Sequence, residues 1–129
     1  MDANTTTQGH RSIVAETIVQ LVRRSRFDLS SEKKLQADLE EALKREGIAY
    51  EREKRLSGRD IPDFFIDGVV VECKMHKKAQ KMAIFKQLSR YAEHVDVKAI
   101  VLASNVPMGL PKEINGKPLY AASLSTGWL

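Results

Sequence analysis

Three ionisable side chains fall close together in the stretch Ile61-Pro62-Asp63-Phe64-Phe65-Ile66-Asp67-Gly68-Val69-Val70-Val71-Glu72-Cys73-Lys74. They are Asp63, Glu72 and Lys74. Two apolar runs flank Asp67-Gly68, the dipeptide of a two-residue hairpin, since both central residues of a type I′ turn take φ > 0. A loop of that length fixes the register: Ile66 faces Val69, Phe65 faces Val70, Phe64 faces Val71 and Asp63 faces Glu72. Directly opposed residues have Cβ atoms about 4.5–5.5 Å apart. Lys74 lies two residues past Glu72 and points to the same side by the strand's period of two. The pattern puts two carboxylates and an amine on one face of an apolar hairpin.

Such a face is costly for a purely structural sheet. Adjacent carboxylates repel and lose water, so one tends to take up a proton. A divalent cation between them removes the conflict, and hard oxygen ligands suit Mg²⁺ or Mn²⁺. The competing reading has Lys74 pairing with Glu72 or Asp63 at a strand end, with no ligand at all.

The elements that must position these groups belong to one domain. A length of 129 residues allows a real core, and 43% hydrophobic with 29% charged residues is ordinary globular composition. Lysine and arginine number 21 against 17 acidic residues, a net charge of +4 that permits a polyanionic partner without requiring one. The lone cysteine, Cys73, excludes an internal disulfide and a cysteine-based zinc site, and reads as a small buried residue. No apolar run is long enough to span a bilayer, and the polar start, Met1 to Gln8, is not a signal peptide. The expectation is a cytoplasmic protein with a disordered tail and no membrane partner.

A helix is expected from about Ser12 to Arg26, with Ile13, Val14, Thr17, Ile18, Leu21 and Val22 as its apolar stripe. That stripe covers either the core or a second copy of the chain. Ser30-Ser31 can cap a second helix that runs to about Glu46 and stops at Gly47, burying Leu35, Leu39, Ala42 and Leu43. Glu32 and Gln36 share another of its faces, while Glu40 and Glu41 read as solvated. Glutamate in a first turn often only complements the helix dipole. Ala49 to Leu56 alternates like an antiparallel strand, in which Glu53 is an outside candidate for the site. Ser57-Gly58-Arg59-Asp60 is a turn, with Asp60 a second choice to Asp63 as ligand.

Beyond the hairpin, a basic amphipathic helix is expected from about Ala79 to His94. Met82, Ile84, Phe85, Leu88, Tyr91 and Ala92 hold its apolar positions, and Gln87 faces inward. A buried amide needs partners. Val97 to Ser104 reads as a strand buried on both faces and parallel to Val69–Lys74 through a crossover. Asn105 to Pro111 is a loop, Asn115-Gly116 a turn, and Pro118 to Leu124 a last strand at the sheet edge. Trp128 either caps the core or enters a dimer contact.

Pro62-Asp63 followed by Glu72-Cys73-Lys74 resembles the signature of the PD-(D/E)XK nuclease superfamily. The likeness covers the hairpin closely and roughly residues 31–104 loosely, with a glutamate on the helix before and a glutamine on the helix after. The resemblance implies an α/β fold with a restriction-endonuclease-like core, a central mixed β-sheet flanked by helices. Residues 28–129 would form that core, and residues 1–27 a tail with an accessory helix. It implies Mg²⁺, replaceable by Mn²⁺, held by Asp63, Glu72 and the backbone carbonyl of Cys73, with Glu32 joining through water. Lys74 would position or deprotonate the attacking water and Gln87 would orient water or phosphate. The implied activity is metal-dependent endonucleolytic cleavage of DNA, leaving 5′-phosphate and 3′-hydroxyl ends. Small members of this type include Holliday-junction resolvases acting as homodimers in DNA recombination and repair, so branched DNA is the expected substrate. Restriction-type or phage nucleases, and a catalytically idle nucleic-acid-binding subunit, are the alternatives. Arg23, Arg24, Arg59, Lys77, Lys78 and Lys81 are the candidates for touching nucleic acid, against a reading as solvated surface.

Overall fold

The hairpin forms in the expected register, with Phe64 opposite Val71, Phe65 opposite Val70 and Ile66 opposite Val69. Asp67 and Gly68 take φ of 48° and 86°, both in the left-handed region that the turn requires. The computed structural model describes residues 11–75, 80–105 and 107–124. Within them the order is α1 (Ile13–Arg24), α2 (Glu32–Arg45), β1 (Glu51–Arg52), β2 (Phe64–Ile66), β3 (Val69–Lys74), α3 (Lys81–Ala92), β4 (Ala99–Ser104), β5 (Glu113–Ile114) and β6 (Lys117–Ser123). The strands make one mixed sheet in the spatial order β1-β2-β3-β4-β6-β5. Met1 to Gln8, Lys77, Lys78 and Trp128 lie outside the described residues.

β3 and β4 pair in parallel, joined by the α3 crossover. Both stand at the centre, and β4 is buried at every position, Ala99 to Ser104, as its apolar run implies. Period-two alternation sorts the side chains of β3. Val69, Val71 and Cys73 pack with α1 and α2, whereas Val70 packs with Ile84, Leu88 and Tyr91 of α3. The molecule is therefore an α/β sheet with two helices on one face and one on the other. Among the described residues no helix is long and apolar enough to cross a membrane.

α2 follows its sequence closely. Ser31 accepts from the Lys34 N–H as N-cap, Gly47 takes φ of 71° just past the end, and Leu35, Leu39, Ala42 and Leu43 are buried. α1 covers the core, packing on β6 and β4, but by a rotated stripe. Ala15, Ile18, Val19, Leu21 and Val22 are buried, while Ile13 stays 67% exposed and Thr17 faces solvent with its hydroxyl donating to the Ile13 carbonyl.

Two strand expectations are corrected. The strand expected over Ala49–Leu56 is only Glu51–Arg52, because Glu53 adopts φ of 51° and breaks the extended run. The last strand, β6, lies between β4 and β5 rather than at the edge. Asn115 and Gly116 take φ of 52° and 78°, folding β5 back over its first residues.

Candidate functional site

Asp63 immediately precedes β2, and Glu72 is the fourth residue of β3. Continuing the hairpin register sets them opposite each other on the α3 side of the sheet. Their contacts are mutual: the Asp63 N–H donates to Glu72 Oε1 at 3.2 Å, and the Cys73 N–H donates to Asp63 Oδ2 at 2.8 Å. Lys74 reaches the same face, with Nζ 3.2 Å from Glu72 Oε2. The structure thus brings Asp63, Glu72 and Lys74 together as the spacing predicts.

Burial dominates the electrostatics. Glu72 is 2% exposed, and its carboxyl is pushed up to about 7 by desolvation and then by the Asp63 charge, with Lys74 offsetting only part of that rise. Asp63 is raised as well, chiefly by burial, against the pull of the Cys73 N–H and the Lys74 ammonium. The Lys74 amine and the Arg52 guanidinium offset the buried Glu72 and half-buried Asp63 only in part, so both carboxyls stay raised. Burial and these same carboxylates raise the Cys73 thiol, so it stays protonated and inert.

The helices supply the surroundings. Tyr91 of α3 donates its hydroxyl to Glu72 Oε1 at 3.3 Å and receives the Gln87 amide at 3.0 Å. Its phenol is raised by burial and by Glu72 and Asp63, which keeps it a donor. The inward-facing amide of Gln87 therefore finds its partner on the same helix, one turn on. Glu32, in the first turn of α2, accepts the Met75 N–H at 3.0 Å just past the end of β3. An open cleft of about 340 Å³ runs between these helix faces, lined among others by Glu32, Lys74, Gln87 and Arg90.

Behind Asp63, Arg52 acts as a brace. Its Nε donates to the Asp63 carbonyl at 3.2 Å, while Nη1 and Nη2 reach Glu40 at 3.0 Å and Gln36 at 2.8 Å. The guanidinium carbon also sits 4.6 Å above the Phe64 ring. Glu40 is accordingly engaged rather than solvated, and it accepts the Tyr50 hydroxyl at 2.6 Å as well.

The remaining candidates divide. Asp60 is buried away from the carboxylate pair, clamped by Arg90 and His94. Glu53 is exposed, its carboxylate 3.9 Å from Arg52. Arg59 is exposed on the turn beside Asp60, and Lys81 is exposed at the start of α3. Arg23 and Arg24 end α1, and Arg24 pairs at 3.3 Å with Glu46, at the far end of α2. That is about 20 Å along the helix from Glu32. The arginines of α1 are not brought to the cleft.

Among the described residues, no group of three or more histidine, cysteine, aspartate or glutamate side chains is arranged to hold a metal ion. Glu32 does not join Asp63 and Glu72 as a third carboxylate. The donors at hand are the two carboxylates and the main chain of Cys73. Pro62 stands opposite Cys73 when the register is extended, and proline has no N–H to complete that pair. A pair of carboxylates is the donor set that suits Mg²⁺, which keeps several waters and rarely occupies an all-protein cage.

Tyr91 and Arg52 are the residues that sequence reasoning missed. Tyr91 reads as one apolar position of α3, and Arg52 as one charge on a half-exposed strand. Their partners lie 19 residues away at Glu72 and 11 or more away at Asp63, Gln36 and Glu40. Compared with protein-family models, curated proteins and solved structures, the chain matches none.

Proposed function

We propose that this chain is a metal-dependent endonuclease of the PD-(D/E)XK type, built on a restriction-endonuclease-like core. The observation that carries the proposal is the convergence of Asp63, Glu72 and Lys74 on one buried face with too little positive charge. Both carboxyls are raised above their ordinary values, and a divalent cation is the simplest group that would let both ionise. Asp63, Glu72 and the Cys73 carbonyl would hold Mg²⁺, with Mn²⁺ as a substitute.

When bound, the ion supplies charge for the phosphoryl oxygens and acidifies a coordinated water. The residues of the chain do the rest. A bound cation would favour the ionised forms of Asp63 and Glu72, and Tyr91 would hold Glu72 in place through its hydroxyl. Lys74, relieved of compensating Glu72, would position the attacking water through its ammonium N–H groups. Glu32 orients water from the opposite wall, and Gln87, through Tyr91, fixes the inner edge of the cleft. In-line attack on phosphorus would leave a 5′-phosphate and a 3′-hydroxyl.

DNA is the proposed substrate, with branched DNA cut by a homodimer as the specific form. The test incubates the protein with single-stranded, duplex and four-way-junction DNA in Mg²⁺, Mn²⁺ or chelator. Cleavage that needs metal and disappears in Asp63→Asn and Glu72→Gln is expected, and paired symmetric nicks on the junction would mark a resolvase. Binding without cutting in any metal would identify an idle nucleic-acid-binding subunit and overturn the enzyme.

A further inference from the structure

We propose that Arg90, clamped by Asp60, is a dedicated phosphate-binding residue of the cleft, gripping the nucleic-acid backbone beside the scissile position. The inference rests on the nuclease reading for the identity of the polyanion and for where the scissile phosphate lies.

Asp60 is 8% exposed and fully committed. Its Oδ1 accepts Arg90 Nε at 3.0 Å and its Oδ2 lies 3.0 Å from His94 Nε2. The turn holds its backbone from both sides: the Asp60 N–H donates to Ser57 at 2.7 Å and its carbonyl accepts the Leu56 N–H at 2.9 Å. The carboxylate is thereby fixed before it touches Arg90. It engages Nε, one edge of a planar fork that carries five N–H donors. Among the described residues Asp60 is the one side-chain partner of this guanidinium, which is 33% exposed and lines the cleft with Lys74 and Gln87.

A purely structural latch needs no open cleft in front of it. The surroundings also call for a cation there, because Glu32 lines the same cleft and would repel a polyanion. Arg90 follows Gln87 by three residues, about 4.5 Å along the α3 axis. The cleft-facing stripe from Gln80 to Arg90 runs about 15 Å, longer than one nucleotide of backbone. Arg90 therefore holds a phosphate next to the reacting one, and Asp60 is its positioning residue.

The test measures anisotropy of labelled single-stranded, duplex and junction DNA in chelator, where no cutting occurs, across a salt series. Arg90→Gln is expected to weaken binding about tenfold at 0.1 M salt and to lower the slope of log K against log salt by about 0.7–0.9. Arg90→Lys keeps the charge without the fork and is expected to keep the slope while losing affinity. Asp60→Asn separates positioning from simple electrostatics. Removing a negative charge near the cleft would by itself tighten binding, whereas loss of the clamp weakens it.

Unchanged affinity and slope in Arg90→Gln overturn the proposal, as does absence of DNA binding by the wild-type chain. If Arg90→Gln fails to fold, Asp60→Asn decides, and binding as tight as or tighter than wild type refutes the clamp. Wild-type protein that never cuts, with Arg90→Gln still weaker, would sink the nuclease reading and leave this site standing. Wild-type cleavage with Arg90→Gln unaltered would do the reverse.

Discussion

Replacing Glu72 by glutamine should make the metal-free protein more stable at pH 8. A carboxyl ordinarily near 4.5 that sits at about 7 in the fold binds more protons folded than unfolded across that window. Stability from this group is fully present below pH 4.5 and is lost as pH rises through 7. The shift corresponds to about 3 kcal/mol, since one pKa unit is about 1.4 kcal/mol. Glu72→Gln removes the charge and keeps the shape. Its amide oxygen can still accept from the Asp63 N–H and the Tyr91 hydroxyl, as Oε1 does now. The Lys74 contact at Oε2 is lost, but Lys74 is 22% exposed and can turn to water. A net gain of about 1–3 kcal/mol at pH 8 follows, falling to near zero at pH 4.5, where protonated glutamate and glutamine are both neutral.

Urea denaturation of both proteins from pH 4.5 to 8.5, in chelator, measures this directly. The difference between the two curves isolates Glu72 from other titrating groups. Asp60, for example, is lowered by its bonds to His94 and Arg90, and so acts in the opposite sense as pH falls. Saturating Mg²⁺ should then raise wild-type stability by mass action and leave Glu72→Gln nearly unmoved. A variant less stable than wild type by a constant amount at every pH would refute the reasoning. It would mean that Lys74 and the hydrogen bonds already compensate the Glu72 charge, and no cation is needed.

Lys74→Met removes the ammonium that holds Glu72 down, so the Glu72 carboxyl should titrate above 7 by NMR, and cleavage should fall at least about a hundredfold. Tyr91→Phe deletes the hydroxyl between Gln87 and Glu72. It should cost about 1 kcal/mol in urea denaturation and lower kcat more than KM, with the fold unchanged by circular dichroism. Arg52→Met keeps contact with Phe64 but frees Gln36, Glu40 and the Asp63 carbonyl. A loss of about 2–3 kcal/mol and weaker Mg²⁺ binding by calorimetry are expected. Gly68→Ala places a Cβ 2.9 Å from Lys98 Cδ at φ of 86°. The lysine can move but the backbone cannot, so about 1 kcal/mol or more should be lost in thermal denaturation.

The parts of this molecule that its sequence announces are those governed by neighbours in the chain. A two-residue turn and a period of two place Asp63, Glu72 and Lys74 on one face before any tertiary contact is considered, and Ser31 with Gly47 brackets α2 by the same local logic. The parts that stay hidden depend on partners far along the chain. Glu53 breaks the strand expected over Ala49–Leu56, at the point where Arg52 turns back to brace α2. The face that α1 buries is chosen by β4 and β6, since Ile13 and Val14 fit the helical period as well as Ala15 and Val19 do. Asp60 looks like a turn residue until Arg90 and His94, 30 and 34 residues on, enclose it.

The distinction matters for function because local pattern decides where a carboxylate starts, while tertiary contact decides its charge. The Asp63 and Glu72 positions follow from the hairpin alone. Their raised pKa values come from α3 packing over the sheet and β4 pairing beside β3, which strips water from Glu72 and sets the Tyr91 hydroxyl against it. An isolated hairpin of residues 61–75 would keep the spacing with both carboxyls solvated and near their ordinary values, and would have little reason to take a metal. On the proposed reading, the call for a cation is thus a property of the whole fold, created when α3 and the sheet take two acids out of water beside one amine.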